Sequence, residues 1–246
     1  MIKISYAKQF ILEKNIKDTS KVLRGNFITQ GPQNLLFQSS IKKFCKSKYC
    51  LTMNSASTAL LLSCKVIGIK KGDIVWVPTN TYAATANCAL ELGANIEFID
   101  VDKDNLNISL DELERKLVTA KKIQKLPKLI IPVHFAGRPV DMGRLNNLKK
   151  KYNFSIIEDA SHAIGAKYKN GMVGNCKFSD MTVFSFHPVK IITTGEGGAI
   201  TTNNKTYFNK LNLLINNGIT KNKKFFKSKK KNPDWYYEQH IVGGNY

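Results

Sequence analysis

The sequence predicts an α/β fold in which a mostly parallel central sheet lies between helices. Two observations carry this. From about Tyr49 onward, short β-type apolar runs alternate with helical patterns, the mark of parallel strands joined by crossover helices. Several runs (LIIPV, FSIIE) are largely apolar without strict alternation, as strands covered on both faces are. With 246 residues the chain can bury the core of one large α/β domain.

Element by element, the chain opens on a polar N-terminal segment, residues 1–24. Strands are expected at 49–53, 74–78, 95–100, 128–133, 155–159, 181–186 and 199–202, with helices filling the gaps. One helix start is explicit. Ser109 precedes Leu110, Asp111 and Glu112 in the S-x-x-E capping box, with Ile108 and Leu113 placed as a hydrophobic staple. Residues 25–216 then read as the large domain, and 217–246 as a Lys-rich loop and the start of a following region. The stop at Gly243-Gly244-Asn245-Tyr246 has the character of mid-loop, so the chain is expected to be incomplete.

Composition excludes other classes. At 43% hydrophobic and 23% charged, the chain is neither disordered, collagen-like nor a coiled coil. Its formal net charge of +20 raises the question of an anionic partner, and seven lysines fall within 221–231 (KNKKFFKSKKK). That run reads either as a solvated, mobile loop or as a contact for phosphates. Only Phe225 and Phe226 interleave it, and no helix-turn-helix, zinc-finger or RNA-recognition pattern accompanies it, so nucleic acid is not the expected partner. The five cysteines show no paired CxxC spacing and imply neither a disulfide framework nor a metal site. No apolar run approaches the ~20 residues that span a bilayer, so no membrane partner and a cytoplasmic location are expected.

Four clusters sit at strand ends or helix starts, where an open α/β sheet places ligands. In the first, 54–60 (NSASTAL), a helix N-terminus with the hydroxyls of Ser57 and Thr58 suits a phosphate, although ordinary capping explains the same residues. The second, 78–87, offers Tyr82 as a flat side chain to stack on a planar ring, or as a half-buried packing residue. In the third, IIEDASH (156–162), Asp159 at the dry end of a strand needs a cation or a protonated ring nitrogen, unless it caps a helix. His162 there reads equally as a hydrogen-bonded structural histidine. In the fourth, 184–198 (FSFHPVKIITTGEGG), Lys190 lies between a β run and a Gly-rich turn, where desolvation can leave an amine neutral enough to form a Schiff base. Its glycines do not follow GxGxxG, so a dinucleotide site is rejected.

Taken together, the clusters resemble the pyridoxal 5′-phosphate-dependent sugar aminotransferases of the DegT/StrS type, which have the aspartate aminotransferase (fold type I) architecture. The likeness runs from about Gly25 to Tyr246 and is most specific in EDASHAIGA and in SFHPVK followed by EGGA. It implies that Lys190 holds the cofactor covalently and that Asp159 pairs with its pyridine nitrogen. On the same resemblance Tyr82 would lie over the ring, His162, a position often Gln in relatives, would lie near the phenolic oxygen, and the family's smaller C-terminal domain would be absent from this chain. Ser57, Thr58 and Ser185 match phosphate-binding positions, and Asn245 matches an asparagine that reaches the neighbouring subunit's cofactor in a homodimer. The Ser-Gly-Thr usual in the first cluster is Ser55-Ala56-Ser57 here, which keeps a hydroxyl and loses the glycine.

NSAS-TALL, FAGRPVDM and FSFHPVKIITTGEGGA are further similar to the branch of that family serving pseudaminic acid biosynthesis. This implies transfer of an amino group from L-glutamate to C4 of a UDP-linked 4-keto-6-deoxy sugar. Alternatives stay open at this point: a dTDP- or GDP-linked keto sugar as acceptor, or a regulatory or binding protein that keeps the cofactor fold without turnover.

Overall fold

The computed structural model describes residues 8–228 and 232–246. Its elements follow in the order α1 (Glu13–Leu23), α2 (Pro32–Cys45), β1 (Tyr49–Met53), α3 (Ala56–Ile67), β2 (Ile74–Pro78), α4 (Ala84–Leu90), β3 (Asn95–Ile99) and α5 (Leu110–Lys122). Then come β4 (Leu129–Ile130), α6 (Met142–Tyr152), β5 (Ser155–Asp159), β6 (Lys167–Tyr168), β7 (Gly171–Met172), β8 (Met181–Ser185), β9 (Gly198–Thr202), α7 (Lys205–Leu214), β10 (Ile219–Thr220) and β11 (Glu238–Gln239).

Seven strands form one sheet in the order β1-β9-β8-β5-β4-β2-β3. Pairing is parallel from β3 through β2, β4 and β5 to β8, and antiparallel where β9 meets β8 and β1. β9 therefore runs against its neighbours, the one reversed strand of a sheet that is mostly parallel, as expected. No helix intervenes between β8 and β9, so the chain returns as a hairpin, and a hairpin reverses direction.

Alternation along the strands divides the core between two faces. Val75, Val77, Leu129, Ile131 and Ile157 meet α3, α4 and α7 on one side. Trp76, Ile130 and Ile156 meet α5 and α6 on the other. A third cluster sets Ile41 and Cys45 of α2 against Phe184 and Phe186. Both faces of the sheet are thus dry, and loops at the strand ends are what remains for binding.

Local signals are realised in part. Ser109 caps α5 by accepting from the Glu112 amide at 3.3 Å, and Ile108 and Leu113 are buried together. The reciprocal half of the capping box is not made. The Ser109 amide donates to the Asp100 carbonyl instead, and the Glu112 carboxylate turns to Arg115 at 2.6 Å. The N-terminal segment contains α1, which buries none of its residues; residues 1–7 of that segment lie outside the described residues.

Of the basic run, Lys229, Lys230 and Lys231 lie outside the described residues. Lys223–Phe225 form a 3-10 turn, and the Lys227 and Ser228 amides donate to the Glu238 carboxylate at 2.6 and 2.9 Å. These two bonds tie the backbone of residues 227 and 228 to β11. The side chains of Lys221, Lys223, Lys224 and Lys227 remain exposed. Among the described residues no helix is long and apolar enough to cross a membrane.

Candidate active site

β1, β2, β5 and β8 run in one direction and end at the same edge of the sheet, so the segments that follow them converge there. They enclose a cavity of about 690 Å³ lined by Ser57, Tyr82, Asp159, His162, Ser185 and Lys190 among others. Six of the eight expected site residues thus share one space.

Asp159 is its floor. It ends β5, is 5% exposed, and is held at both carboxylate oxygens: Oδ2 accepts from the Thr85 hydroxyl at 2.7 Å, and Oδ1 from the Ser161 hydroxyl at 2.7 Å and amide at 3.1 Å. The helix-capping alternative fails, because residues 160–166 form turns and no helix follows. Every one of these donors is neutral, and no cation lies within ion-pair distance of Asp159 among the described residues. A buried carboxylate left in that state calls for a cationic partner.

The wall is Lys190. It sits on the loop joining β8 to β9, with its amide bonded to the His187 carbonyl at 2.9 Å and its Nζ 2.7 Å from His162 Nε2. Burial lowers the pKa of Lys190, with Asp159 opposing. Burial also lowers that of His162, and the neighbouring Lys190 charge lowers it further while Asp159 opposes. His162 is therefore no enclosed structural histidine. It stands on the rim, in contact with the amine.

The opposite end is built for an anion. Ser55 caps α3 by accepting from the Thr58 amide at 3.1 Å. The amides of Ala56 and Ser57 in the first turn have no acceptor among the described residues. Ser185 Oγ accepts from the His187 amide at 3.5 Å, leaving the hydroxyl proton without an acceptor among the described residues. β9 closes in from behind: a Cβ on Gly198 would lie 2.4 Å from the Ser55 carbonyl, so only glycine admits this approach. The glycine absent at Ala56 is thus matched by one behind the turn.

Two expected residues lie elsewhere. Thr58 shares a hydrogen bond with the Ser55 hydroxyl at 3.1 Å and lines an adjoining cavity of about 370 Å³ beside Ser57 and Tyr82. Asn245 bridges Asn216 past the end of α7 and does not line the cavity of its own chain. Tyr82 is 80% exposed, so the reading of it as a half-buried packing residue is corrected.

Other residues of the site carry no recognisable local signal. Thr85, fully buried, reaches Asp159 from α4. His134 accepts from the Val140 amide through Nδ1, so Nε2 carries the proton and donates to Glu158 at 2.8 Å. Glu158 also takes the hydroxyls of Ser179 and Thr182. Strand alternation turns Glu158 into this network and Asp159 into the cavity.

The donor set suits pyridoxal 5′-phosphate: hydroxyls and free amides for a phosphate, a buried unpaired carboxylate for a ring nitrogen, a desolvated amine for an aldehyde, and a flat ring for a heterocycle.

A model of the DegT/DnrJ/EryC1/StrS aminotransferase family matches residues 9–246. The UDP-4-amino-4,6-dideoxy-N-acetyl-beta-L-altrosamine transaminase of Campylobacter jejuni (strain 81-176) is 41% identical over 218 residues, which are 89% of this chain and 56% of that protein. Helicobacter pylori PseC, an aminotransferase involved in the biosynthesis of pseudoaminic acid, superposes with a TM-score of 0.87 at 31% identity, covering 100% of this chain and 62% of its own. The PLP form of the putative sugar aminotransferase Spr1654 from Streptococcus pneumoniae gives 0.81 at 27% identity, over 98% of this chain and 62% of its own. The chain thus spans less than two thirds of the length of these relatives.

Proposed function

The chain belongs to the DegT/DnrJ/EryC1/StrS aminotransferase family, and from that premise we propose that it carries the cofactor site of a pyridoxal 5′-phosphate-dependent nucleotide-sugar aminotransferase. The reaction proposed is transfer of an amino group from L-glutamate to C4 of a UDP-linked 4-keto-6-deoxy sugar, in pseudaminic acid-type biosynthesis. The carrying observation is the pairing of the buried, cation-free Asp159 with the desolvated Lys190 across one cavity. The similarity to the Campylobacter transaminase and to PseC supports the choice of sugar.

When bound, pyridoxal phosphate supplies an aldehyde that amines condense with and a protonated ring that accepts the electron pair released beside the nitrogen. The residues would divide the remaining work. Ser57, Ser185 and the first-turn amides of α3 hold the phosphate, the positive end of the helix dipole adding to them. Asp159 holds the ring nitrogen and its proton. Tyr82 covers one face, and His162 borders the phenolic oxygen. Lys190 would hold the aldehyde carbon through Nζ and, whenever its amine is free and neutral, would be the base positioned to take and return a proton beside the substrate nitrogen. Its lowered pKa serves that step, because only the neutral amine accepts a proton.

The proposal extends to a homodimer in which each chain lends Asn245 to the other's site, a reading supported by the family resemblance and by the fact that Asn245 does not line the cavity of its own chain. Residues 25–216 would be the cofactor-binding large domain. The exposed lysines of the basic run offer cations to the sugar's diphosphate. We place the reaction in the cytoplasm, where nucleotide sugars and glutamate are found and five free cysteines stay reduced.

Incubation with pyridoxal phosphate followed by borohydride should fix the pyridoxyl group on Lys190, read by peptide mass; a label on another lysine overturns the assignment. A panel of UDP-, dTDP- and GDP-4-keto sugars with glutamate tests the acceptor. Preference for a dTDP or GDP sugar would overturn the sugar while leaving Lys190 in place.

A further inference from the structure

Thr85 is the second residue of α4 and is fully buried. A threonine in a helix ordinarily returns its hydroxyl to a carbonyl one turn back. This one does not. Its Oγ1 lies 2.7 Å from Asp159 Oδ2, a contact between residues 74 apart in sequence. A carboxylate only accepts, so the single proton of the hydroxyl is committed to Asp159. The oxygen in turn accepts from the Thr81 hydroxyl at 2.7 Å. The order Thr81 to Thr85 to Asp159 is therefore fixed in direction, and each bond polarises the next.

The geometry points to Thr85 as a positioning residue: its hydroxyl sets the plane of the Asp159 carboxylate and, through Thr81, ties that orientation to the loop that carries Tyr82. The inference rests on the reading of Asp159 as the partner of the ring nitrogen. Asp159 is held at Oδ1 by Ser161, two residues away on its own chain segment. One such anchor leaves the carboxylate free to pivot about the Cβ–Cγ bond. Thr85 supplies the second anchor from a different element, so pivoting requires breaking a charge-assisted hydrogen bond. Thr81 lines the cavity and is followed by Tyr82. The floor and the stacking face would thus be set by one chain of hydroxyls.

The test compares T85V, T85A and T85S with D159N in the purified protein, reading pyridoxal phosphate affinity by fluorescence, the absorbance of the bound cofactor, and kcat and KM separately. T85V is expected to bind the cofactor roughly ten- to a hundred-fold more weakly, the span of one hydrogen bond to a charged group. It should lower kcat with little change in KM for the sugar, and T85S should restore both within a few-fold. T85A, which sets no methyl against the carboxylate, carries the same expectation should T85V fail to fold. Wild-type affinity and absorbance in T85A or T85V, alongside an impaired D159N, overturn the role of Thr85. A D159N protein that behaves as wild type overturns instead the reading on which it rests.

Discussion

Lys190 Nζ and His162 Nε2 stand 2.7 Å apart, close enough for one nitrogen to donate to the other, so that charge on one disfavours charge on the other. Burial lowers the pKa of His162 first, and the charge of Lys190 lowers it further. Removing that charge must raise it. In K190M, His162 should therefore titrate at a higher pH than in the wild type, yet still below an ordinary imidazole because burial persists. Ring-proton NMR across pH 4–9 checks this; an unchanged midpoint would show that the two groups do not interact.

Gly198 offers a second test. A methyl there meets the backbone of Ser55 at 2.4 Å and the Ala56 amide nitrogen at 2.6 Å, atoms that cannot swing aside as a side-chain tip can. G198A should cost about 1–3 kcal/mol of stability and should weaken phosphate binding disproportionately if the displaced turn is the anion cradle proposed for it. Denaturant unfolding and cofactor titration measured together would reveal it. Equal loss for pyridoxal and pyridoxal phosphate would count against the cradle.

The acid limb of stability should report Glu158. Burial raises its pKa, but the hydrogen bonds from His134, Ser179 and Thr182 outweigh that, and the net shift is downward. A carboxyl depressed in the folded state stabilises above its unfolded pKa, and this contribution is lost as pH falls through the lower folded value. Stability should thus decline below about pH 4.5, and E158Q should flatten that part of the curve while costing stability at neutral pH. Urea unfolding between pH 3 and 7 distinguishes the two forms.

Glu238 gives a local version of the same effect. Amides of Lys227 and Ser228 and the ring of His240 lower its pKa from 4.5 to about 2. The turn at 223–228 should keep its protection while the carboxylate is ionised and lose it as pH falls from about 4.5 toward about 2. Hydrogen-exchange protection of the Lys227 and Ser228 amides, corrected for intrinsic rates, is the measurement. E238Q should show low protection at neutral pH already.

How much of this was legible beforehand depended on range. β5 was readable to its ends because Ile156 and Ile157, adjacent β-branched residues, are followed at once by the acids Glu158 and Asp159, and both faces of the strand are covered. The direction of β9 was not, because periodicity reports which face is buried and says nothing of which way a neighbour runs. α1 escaped notice because it buries nothing, so its sequence carries no core-facing demand. Lys190, Asp159 and Ser57 stand out as candidates because each lies at or just beyond the end of a strand, whereas Ser185 enters only through the family resemblance. Thr85 was missed for the opposite reason: its partner is 74 residues away, and in isolation it reads as one more threonine near a helix start.

The return of β9 alongside β8 has a mechanical consequence. The segment carrying Lys190 is a leash pinned at both ends, Phe186 donating to the Gly197 carbonyl at 2.9 Å, and Gly198 wedged behind Ser55. Peeling β9 from the sheet would slacken the leash and open the anion cradle in a single movement. Any molecule gripped at once by Lys190 and the α3 turn therefore acts as a clasp across that seam, and by mass action its grip becomes resistance of the whole edge to unzipping.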